Sequence, residues 1–295
     1  MAPARVIGTI PEIEAKLVEL RAKAAEKAGG PALRTSVMTH MAWVPPEWIE
    51  AAYGVLEGLA ERHPSRTIVL IPEPEAKDGL QAKVSVQSFP LSDDIRIHVC
   101  AEVIELRLGG RRTKAPASIV EPLLIPDLPV FLRWRGRPPF GGIEFEELAG
   151  ATDRLILDSR EWSDGVPGGW RPLAERFELT AVSDICWTRT LPWRRTLAGL
   201  WPGIAELREL RVRGPRPEAL LLHGWLRSRL RRPEIGLVHE EAAELEEVAV
   251  DGEPVGPPRG DRPAPSDLLS AELDVFGRDP VYEEAVRATA EGDAG

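Results

Sequence analysis

An extended segment, a helical pattern and a second extended segment follow one another between residues 34 and 71, and this order constrains the fold more than any other feature. Residues 34–44 have the pattern of an extended segment. Pro45-Pro46 and the apolar spacing from Trp48 to Leu59 predict a helix with proline in its first turn. The β-branched run Arg66–Ile71, bounded by prolines, predicts a buried strand. Strand, helix and strand form a βαβ unit with parallel strands, so the sequence predicts an α/β domain.

Further strands are predicted after this unit. Residues 82–88 and 94–103 alternate between apolar and polar, which is typical of an antiparallel hairpin with one buried face. The alternation changes phase at Val103-Ile104, where we expect a bulge or the end of the strand. The runs Pro129–Trp134 and Arg154–Asp158 predict two central strands. We therefore expect a mixed, largely parallel sheet with flanking helices.

The chain divides into three parts by composition and pattern. An N-terminal helix is predicted within residues 1–30, where apolar residues recur three and four positions apart. The α/β domain with its βαβ unit and hairpin is expected to cover residues 31–165. Beyond a glycine-rich loop, the pattern predicts a Trp/Arg-rich segment and a smaller α+β C-terminal domain over residues 166–295.

Charge is distributed unevenly along the chain. The net charge is -10, but residues 189–232 contain 11 basic and 3 acidic groups, and residues 233–295 contain 4 basic and 17 acidic groups. A basic block followed by an acidic block either pairs within the molecule or presents a surface to a partner.

Several classes of protein are disfavoured by simple patterns. No apolar run approaches the length of about 20 residues that a membrane span needs, and the N-terminal residues lack the pattern of a signal peptide. We therefore expect a cytoplasmic protein that does not enter a membrane. Cys100 and Cys186 are too few for a disulfide framework and too far apart for a CxxC motif, so two buried thiols are expected.

The signatures of common catalytic and cofactor sites are missing. The sequence has no GxGxxG after a strand, no GxxxxGK[ST], no GxSxG, no HExxH and no paired CxxC. The five histidines show no spacing that would place two ring nitrogens on one metal ion. Asp158 follows an apparent strand, where ligands of α/β folds gather, but capping of the next turn is the favoured role. We expect no cofactor, no metal and no catalysis.

The densest cluster of recognition-type residues lies between residues 184 and 203, in the run DICWTRTLPWRRTLAGLWPG. Tryptophan offers a large apolar surface and arginine stacks on it or binds carboxylates, a composition typical of interface hot spots. Alternatively, the tryptophans fill the core and the arginines pair with the acidic C-terminal third. The candidate partner-binding residues are Trp187, Arg189, Trp193, Arg194 and Arg195.

The same run contains the Asp, Trp, Arg, Pro-Trp-Arg pattern of the OpcA family of glucose-6-phosphate dehydrogenase assembly proteins, and the chain resembles that family over nearly its whole length. The match continues at HPSR (63–66), at PLLIPDLPVFLRWRG (122–136) and at DRLILDS (153–159), in the same order along the chain. The residues of these motifs to which we assign structural roles are His63, Ser65, Arg66, Asp127, Trp134, Asp153 and Asp158.

The resemblance implies a non-catalytic protein that binds glucose-6-phosphate dehydrogenase and promotes its active oligomer in the oxidative pentose phosphate pathway. An alternative is a sugar-phosphate-binding enzyme or sensor with a site at the sheet rim, where arginines would hold the phosphate and Asp158 the hydroxyl groups. Binding of single-stranded nucleic acid through the Trp/Arg segment is disfavoured by the acidic tail. The sequence is also compatible with a homo-oligomer.

Overall fold

A computed structural model of the protein describes residues 8–28, 32–33, 36–60, 62–92, 95–162, 167–260 and 262–292. Residues 93–94, which connect the two strands of the predicted hairpin, lie outside the described residues. The chain forms two compact units. The first contains the described residues up to Ile156 together with Pro265–Val275, and the second contains Leu157–Ala264 together with the described residues from Phe276 onwards.

Helices and strands alternate along the first part of the chain. In chain order they are α1 (Ile10–Ala28), β1 (Ala32–Leu33), β2 (Thr39–Trp43), α2 (Ile49–Glu57), β3 (Arg66–Glu73), β4 (Gly79–Ser92), β5 (Ile95–Gly109), α3 (Ala117–Val120), β6 (Val130–Trp134), α4 (Ile143–Gly150) and β7 (Arg154–Leu157).

The remaining elements include five short strands among the described residues. In chain order they are α5 (Pro167–Arg176), β8 (Ala181–Asp184), α6 (Ile185–Arg189), α7 (Leu191–Ala198), β9 (Glu209–Gly214), α8 (Arg216–Leu230), β10 (Gly236–Glu241), β11 (Glu247–Val250), β12 (Glu253–Pro254), α9 (Pro265–Leu273) and α10 (Pro280–Gly292). Within the described segments, none of the helices is long and apolar enough to cross a membrane.

The first unit is built on one twisted sheet with the strand order β1-β5-β3-β2-β6-β7. These strands are parallel to their neighbours, and β4 is added to β5 in the antiparallel direction. The predicted βαβ unit is present, since β2 and β3 pair in parallel and α2 connects them. The prediction of a mixed, largely parallel sheet is confirmed.

The prediction of a bulge or a strand end at Val103-Ile104 is wrong. The pairing of β4 with β5 is regular there, and the register shifts instead between Pro90 and Ser92. Alternate residues of β5, from Cys100 to Leu108, are buried on one face without interruption. One of them is the carboxylate residue Glu102, and this buried charge made the apolar alternation look broken.

The second unit has a smaller sheet of its own, with the strand order β10-β9-β11-β12. β9 is parallel to β10 and antiparallel to β11, and β11 is antiparallel to β12. Helix α8 packs against α10, and Gly224 allows their close approach. A Cβ atom at this position would lie 2.3 Å from the carbonyl oxygen of Ala285. The predicted α+β organisation of the C-terminal region is confirmed in this unit.

Candidate functional site

The Trp/Arg segment begins where β8 passes directly into α6. Asp184 caps this helix, because its Oδ1 accepts hydrogen bonds from the backbone N–H groups of Cys186 at 2.9 Å and Ser159 at 3.0 Å. Its Oδ2 has no hydrogen-bond partner among the described residues. Burial, and then the nearby charge of Asp158, raises the pKa of Asp184 to about 7. The uncharged form of this carboxyl therefore persists to a much higher pH than that of an ordinary aspartate.

Asp158 and Arg189 form a two-pronged ion pair in the second unit. Both guanidinium Nη atoms of Arg189 donate to the two carboxylate oxygens of Asp158 at 2.7 Å. Asp158 Oδ1 also accepts from the backbone N–H of Arg160, so the residue caps the turn that follows β7. The capping role predicted for Asp158 is confirmed. Because both carboxylate oxygens are engaged, Asp158 is poorly placed to bind the hydroxyl groups of a sugar.

Arg160 forms an ion pair with Glu244, a residue of the acidic C-terminal third of the chain. Arg160 Nε donates to the buried carboxylate of Glu218, and its two Nη atoms each lie 3.2 Å from an oxygen of Glu244. Burial raises the pKa of Glu218, although Arg160 acts in the opposite direction. Part of the positive charge of this region is thus neutralised within the unit.

Four of the five candidate partner-binding residues are tied into the second unit. Trp187 and Trp193 are buried, with 4% and 5% of their surface exposed. The indole N–H of Trp187 donates to Asp279 at 2.8 Å, and the guanidinium of Arg194 lies 3.4 Å from the centre of the Trp187 ring. Arg189 is held by Asp158. The remaining candidate, Arg195, is exposed on α7.

The exposed aromatic residue of this region is one that the sequence analysis did not select. Trp201 has 64% of its surface exposed and Leu200 has 39%, just after the end of α7. The sequence carried a usable signal, since Trp201 stands in a Trp-Pro-Gly turn rather than within a helical apolar stripe.

The family-motif residues of the first unit form a buried polar network around the start of β3. Arg66 Nε donates to Glu102 at 2.8 Å, and its Nη1 donates to Glu14 at 2.8 Å and to the carbonyl oxygen of Leu123 at 2.7 Å. His63 Nε2 lies 2.7 Å from Ser270 Oγ on α9. One guanidinium thus joins α1, β5 and the segment after α3. Sequence reasoning selected Arg66 but missed Glu102.

Three further motif residues lie just before strands of the same sheet: Ser65 before β3, Asp127 before β6 and Asp153 before β7. Ser65 Oγ lies 3.2 Å from Thr67 Oγ1, and Asp153 Oδ2 accepts from the backbone N–H of Val130 at 2.8 Å. Asp127 is exposed and has a φ of 64°, a left-handed conformation that aspartate tolerates better than most residues. The contacts of Ser65 and Asp153 are made within the first unit, which fits a structural role.

The strand order of the sheet reverses between β2 and β6, and open α/β sheets bind ligands at the carboxyl ends of strands at this point. Here the last residues of both strands are tryptophans. The rings of Trp43 and Trp134 are stacked, and both side chains are buried. The guanidinium of Arg135, the residue that follows Trp134, lies 4.7 Å from the centre of the Trp48 ring. The crevice position is therefore occupied by the protein's own aromatic side chains.

In the described part of the chain, the His, Cys, Asp and Glu side chains form no group of three that could hold a metal ion. Cys100 and Cys186 are free and buried, as the sequence predicts.

Two consecutive segments of the chain match known protein families. A family described as "glucose-6-phosphate dehydrogenase subunit N-terminal domain" matches residues 57–168, and its "C-terminal domain" counterpart matches residues 180–286. The chain belongs to the OpcA family. The resemblance inferred from the motifs at residues 63–66, 122–136, 153–159 and 184–194 is thereby confirmed.

Three cyanobacterial relatives carry the words "OxPP cycle protein OpcA" in their names. The Synechococcus elongatus protein is 28% identical over 58% of this chain and 41% of its own, and the Synechocystis protein is 25% identical over 60% and 39%. The Nostoc punctiforme protein is 30% identical over 60% and 40%. The match with this chain thus spans about two fifths of the length of these relatives.

A solved structure of the WlbA (WbpB) dehydrogenase from Thermus thermophilus, in complex with NAD and alpha-ketoglutarate, is also similar to this chain. It has a TM-score of 0.47 and 12% identity, and the match covers 87% of this chain and 95% of the dehydrogenase. A second structure of that enzyme, with NAD and UDP-GlcNAcA, has a TM-score of 0.44 and 14% identity. Likeness at this level carries no argument about function.

Proposed function

We propose that this chain is a non-catalytic accessory protein that binds glucose-6-phosphate dehydrogenase and promotes its active oligomer in the oxidative pentose phosphate pathway. The observation that carries the proposal is the match of both halves of the chain to families described as domains of a glucose-6-phosphate dehydrogenase subunit.

The geometry of the site supports a binding role rather than catalysis. The acid that stands at the end of a strand, Asp158, is bound on both oxygens by Arg189. The crevice position of the parallel sheet contains the stacked rings of Trp43 and Trp134. Groups that would contact a substrate in an α/β enzyme are thus used to hold the fold together.

Activation by such a protein is a matter of differential affinity. An activator shifts its target toward one state only if it binds that state more tightly than the other. A coupling of about 1–3 kcal/mol, typical of allosteric pairs, corresponds to a shift of roughly 5- to 150-fold in the equilibrium of the dehydrogenase. The accessory protein needs no chemistry of its own to achieve this.

Light-scattering mass of a mixture of this protein with its cognate dehydrogenase tests the proposal. We expect a species heavier than either component and a larger dehydrogenase oligomer. Calorimetric titration of this protein alone with glucose 6-phosphate and 6-phosphogluconate is the companion experiment. Saturable heat with a sugar phosphate and no complex with the dehydrogenase would replace the proposal with a sugar-phosphate sensor.

A further inference from the structure

The turn that follows α7 is the most exposed apolar feature of the second unit that is also firmly anchored. Residues 198–203 are all exposed, and they include Leu200 and Trp201. We call these six residues the α7 turn. Trp201 has 64% of its surface in water. Burial of such a large aromatic side chain against a partner would stabilise a complex.

Both ends of the α7 turn are fixed to the core. Leu197 and Ile204, the residues that flank it, are buried. Within the turn, the backbone N–H of Leu200 donates to Leu197 at 3.1 Å and that of Trp201 donates to Ala198 at 3.2 Å. The N–H of Ile204 closes the turn on Leu200 at 3.3 Å. A partner that binds this turn therefore orders little new backbone, which favours affinity.

The chemistry of the turn fits an interface hot spot. Tryptophan is enriched among the residues that contribute most to binding energy, where it fills a pocket of the partner. The indole N–H of Trp201 has no hydrogen-bond partner among the described residues. It is thus available to a carbonyl or carboxylate oxygen in such a pocket.

The charge beside the turn indicates the character of the partner. Arg195, in the last turn of α7, forms no ion pair with the described residues, in contrast to Arg189 and Arg160, which are neutralised by carboxylates. The nearest acidic residue after the turn, Glu206, is bound by Arg232 at 2.9 Å. The uncompensated charge is therefore positive, and a complementary surface is acidic.

We propose that the α7 turn inserts Trp201 and Leu200 into an apolar pocket on the dehydrogenase, and that Arg195 contacts an acidic group on the rim of that pocket. This inference rests on the proposed function and goes beyond it by naming the docking residues. In this proposal the buried residues Trp187 and Trp193 do not contact the dehydrogenase. They hold α6 and α7 in place.

Affinity for the cognate dehydrogenase, measured by calorimetry or by biolayer interferometry, tests the assignment. We expect Trp201→Ala to weaken binding by roughly 30-fold or more, as loss of a hot-spot residue does, and Trp201→Phe to weaken it less. Leu179→Ser is the matched control, because Leu179 is 74% exposed at a separate turn of the same unit. We expect this control to bind like the wild type.

Charge reversal gives a second readout that does not depend on the tryptophan. Arg195→Glu is expected to slow association and to reduce the salt dependence of binding, whereas Arg195→Lys is expected to retain both. Thermal unfolding of each variant checks that the fold is intact, which we expect because these side chains are exposed.

The outcomes separate the two proposals. Normal binding by both Trp201→Ala and Arg195→Glu, with a wild type that binds, would overturn this docking surface and leave the accessory role in place. A wild type that fails to bind the dehydrogenase at all would overturn both. Self-association of the wild type that Trp201→Ala abolishes, without an effect on the dehydrogenase complex, would assign the turn to a second copy of this chain and overturn the inference.

Discussion

The indole rings of Trp43 and Trp134 are stacked with their centroids 4.8 Å apart and an angle of 10° between their planes. These residues face each other in the register of the parallel strands β2 and β6, at the last position of each strand. Phe145 on α4 packs edge-on against Trp134 at 5.1 Å. An open α/β sheet binds ligands at this point of its strand order, and in this protein the point is part of the core.

The stacked pair is therefore expected to be a stability determinant. Trp134→Ala removes the stacking partner of Trp43 and leaves a cavity, which we expect to cost about 3–5 kcal/mol of the free energy of unfolding. Chemical denaturation measures this change. Trp201→Ala, which removes an exposed indole, serves as the control and is expected to cost less than about 0.5 kcal/mol. A Trp134→Ala variant with wild-type stability would contradict the packing role.

Arg66 is expected to stabilise the fold rather than to contact a partner. Arg66→Ala leaves the fully buried carboxylate of Glu102 with a weaker neighbour, Arg21, whose Nε lies 3.3 Å away. Removal of one member of a buried ion pair costs about 3–5 kcal/mol. Arg107→Ala is the control, because its half-exposed pair with Glu73 contributes about 1 kcal/mol or less. Loss of dehydrogenase activation with unchanged thermal stability would assign Arg66 to the interface instead.

We expect Asp184 to make the stability of the second unit depend on pH. Its pKa is raised to about 7 by burial, from an unfolded value of about 3.9. Between these values the unfolded chain has released the proton and the folded chain has kept it, so stability falls as pH rises from about 4 to about 7. We expect this group to account for a few kcal/mol over that window.

Asp184→Asn isolates this contribution. Asparagine retains the oxygen that accepts from Cys186 and Ser159 but does not ionise. The free energy of unfolding of the variant, relative to the wild type, should therefore increase as pH rises from about 4 to about 7 and level off above this range. Parallel profiles for the two proteins would show that Asp184 titrates with an ordinary pKa.

The two cysteines are expected to be unreactive in the folded protein. Cys100 and Cys186 are buried, and burial raises the pKa of both thiols. A thiol reagent such as DTNB should label neither residue under native conditions and both after unfolding. Rapid labelling of either thiol in the folded state, with a change in dehydrogenase binding, would indicate redox control through that residue.

Local patterns predicted most of the first unit. The β-branched run of β3 and the proline-initiated helix before it define a βαβ unit on their own, and parallel pairing follows from the connection. The alternation in β4 and β5 predicted the hairpin, but it also predicted an irregularity at Val103-Ile104 that is not there. The buried face of β5 includes the charged residue Glu102, whose partner Arg66 lies 36 residues away. Periodicity describes single strands and does not reveal which distant charge neutralises a residue.

The candidate site was harder to predict for the same reason. Sequence density selected Trp187 and Trp193, yet long-range contacts such as the hydrogen bond from Trp187 to Asp279 decide which tryptophans are buried. The return of Pro265–Val275 to the first unit likewise depends on contacts such as that between His63 and Ser270. A pattern of residue types indicates recognition chemistry, whereas exposure depends on the tertiary fold.

The most direct test of the accessory role is the initial velocity of the cognate glucose-6-phosphate dehydrogenase over a range of substrate concentrations, with and without this protein. The account predicts a changed substrate dependence that saturates with added protein, and no turnover of glucose 6-phosphate by this protein alone. Superimposable velocity curves at saturating concentrations of this protein would contradict it.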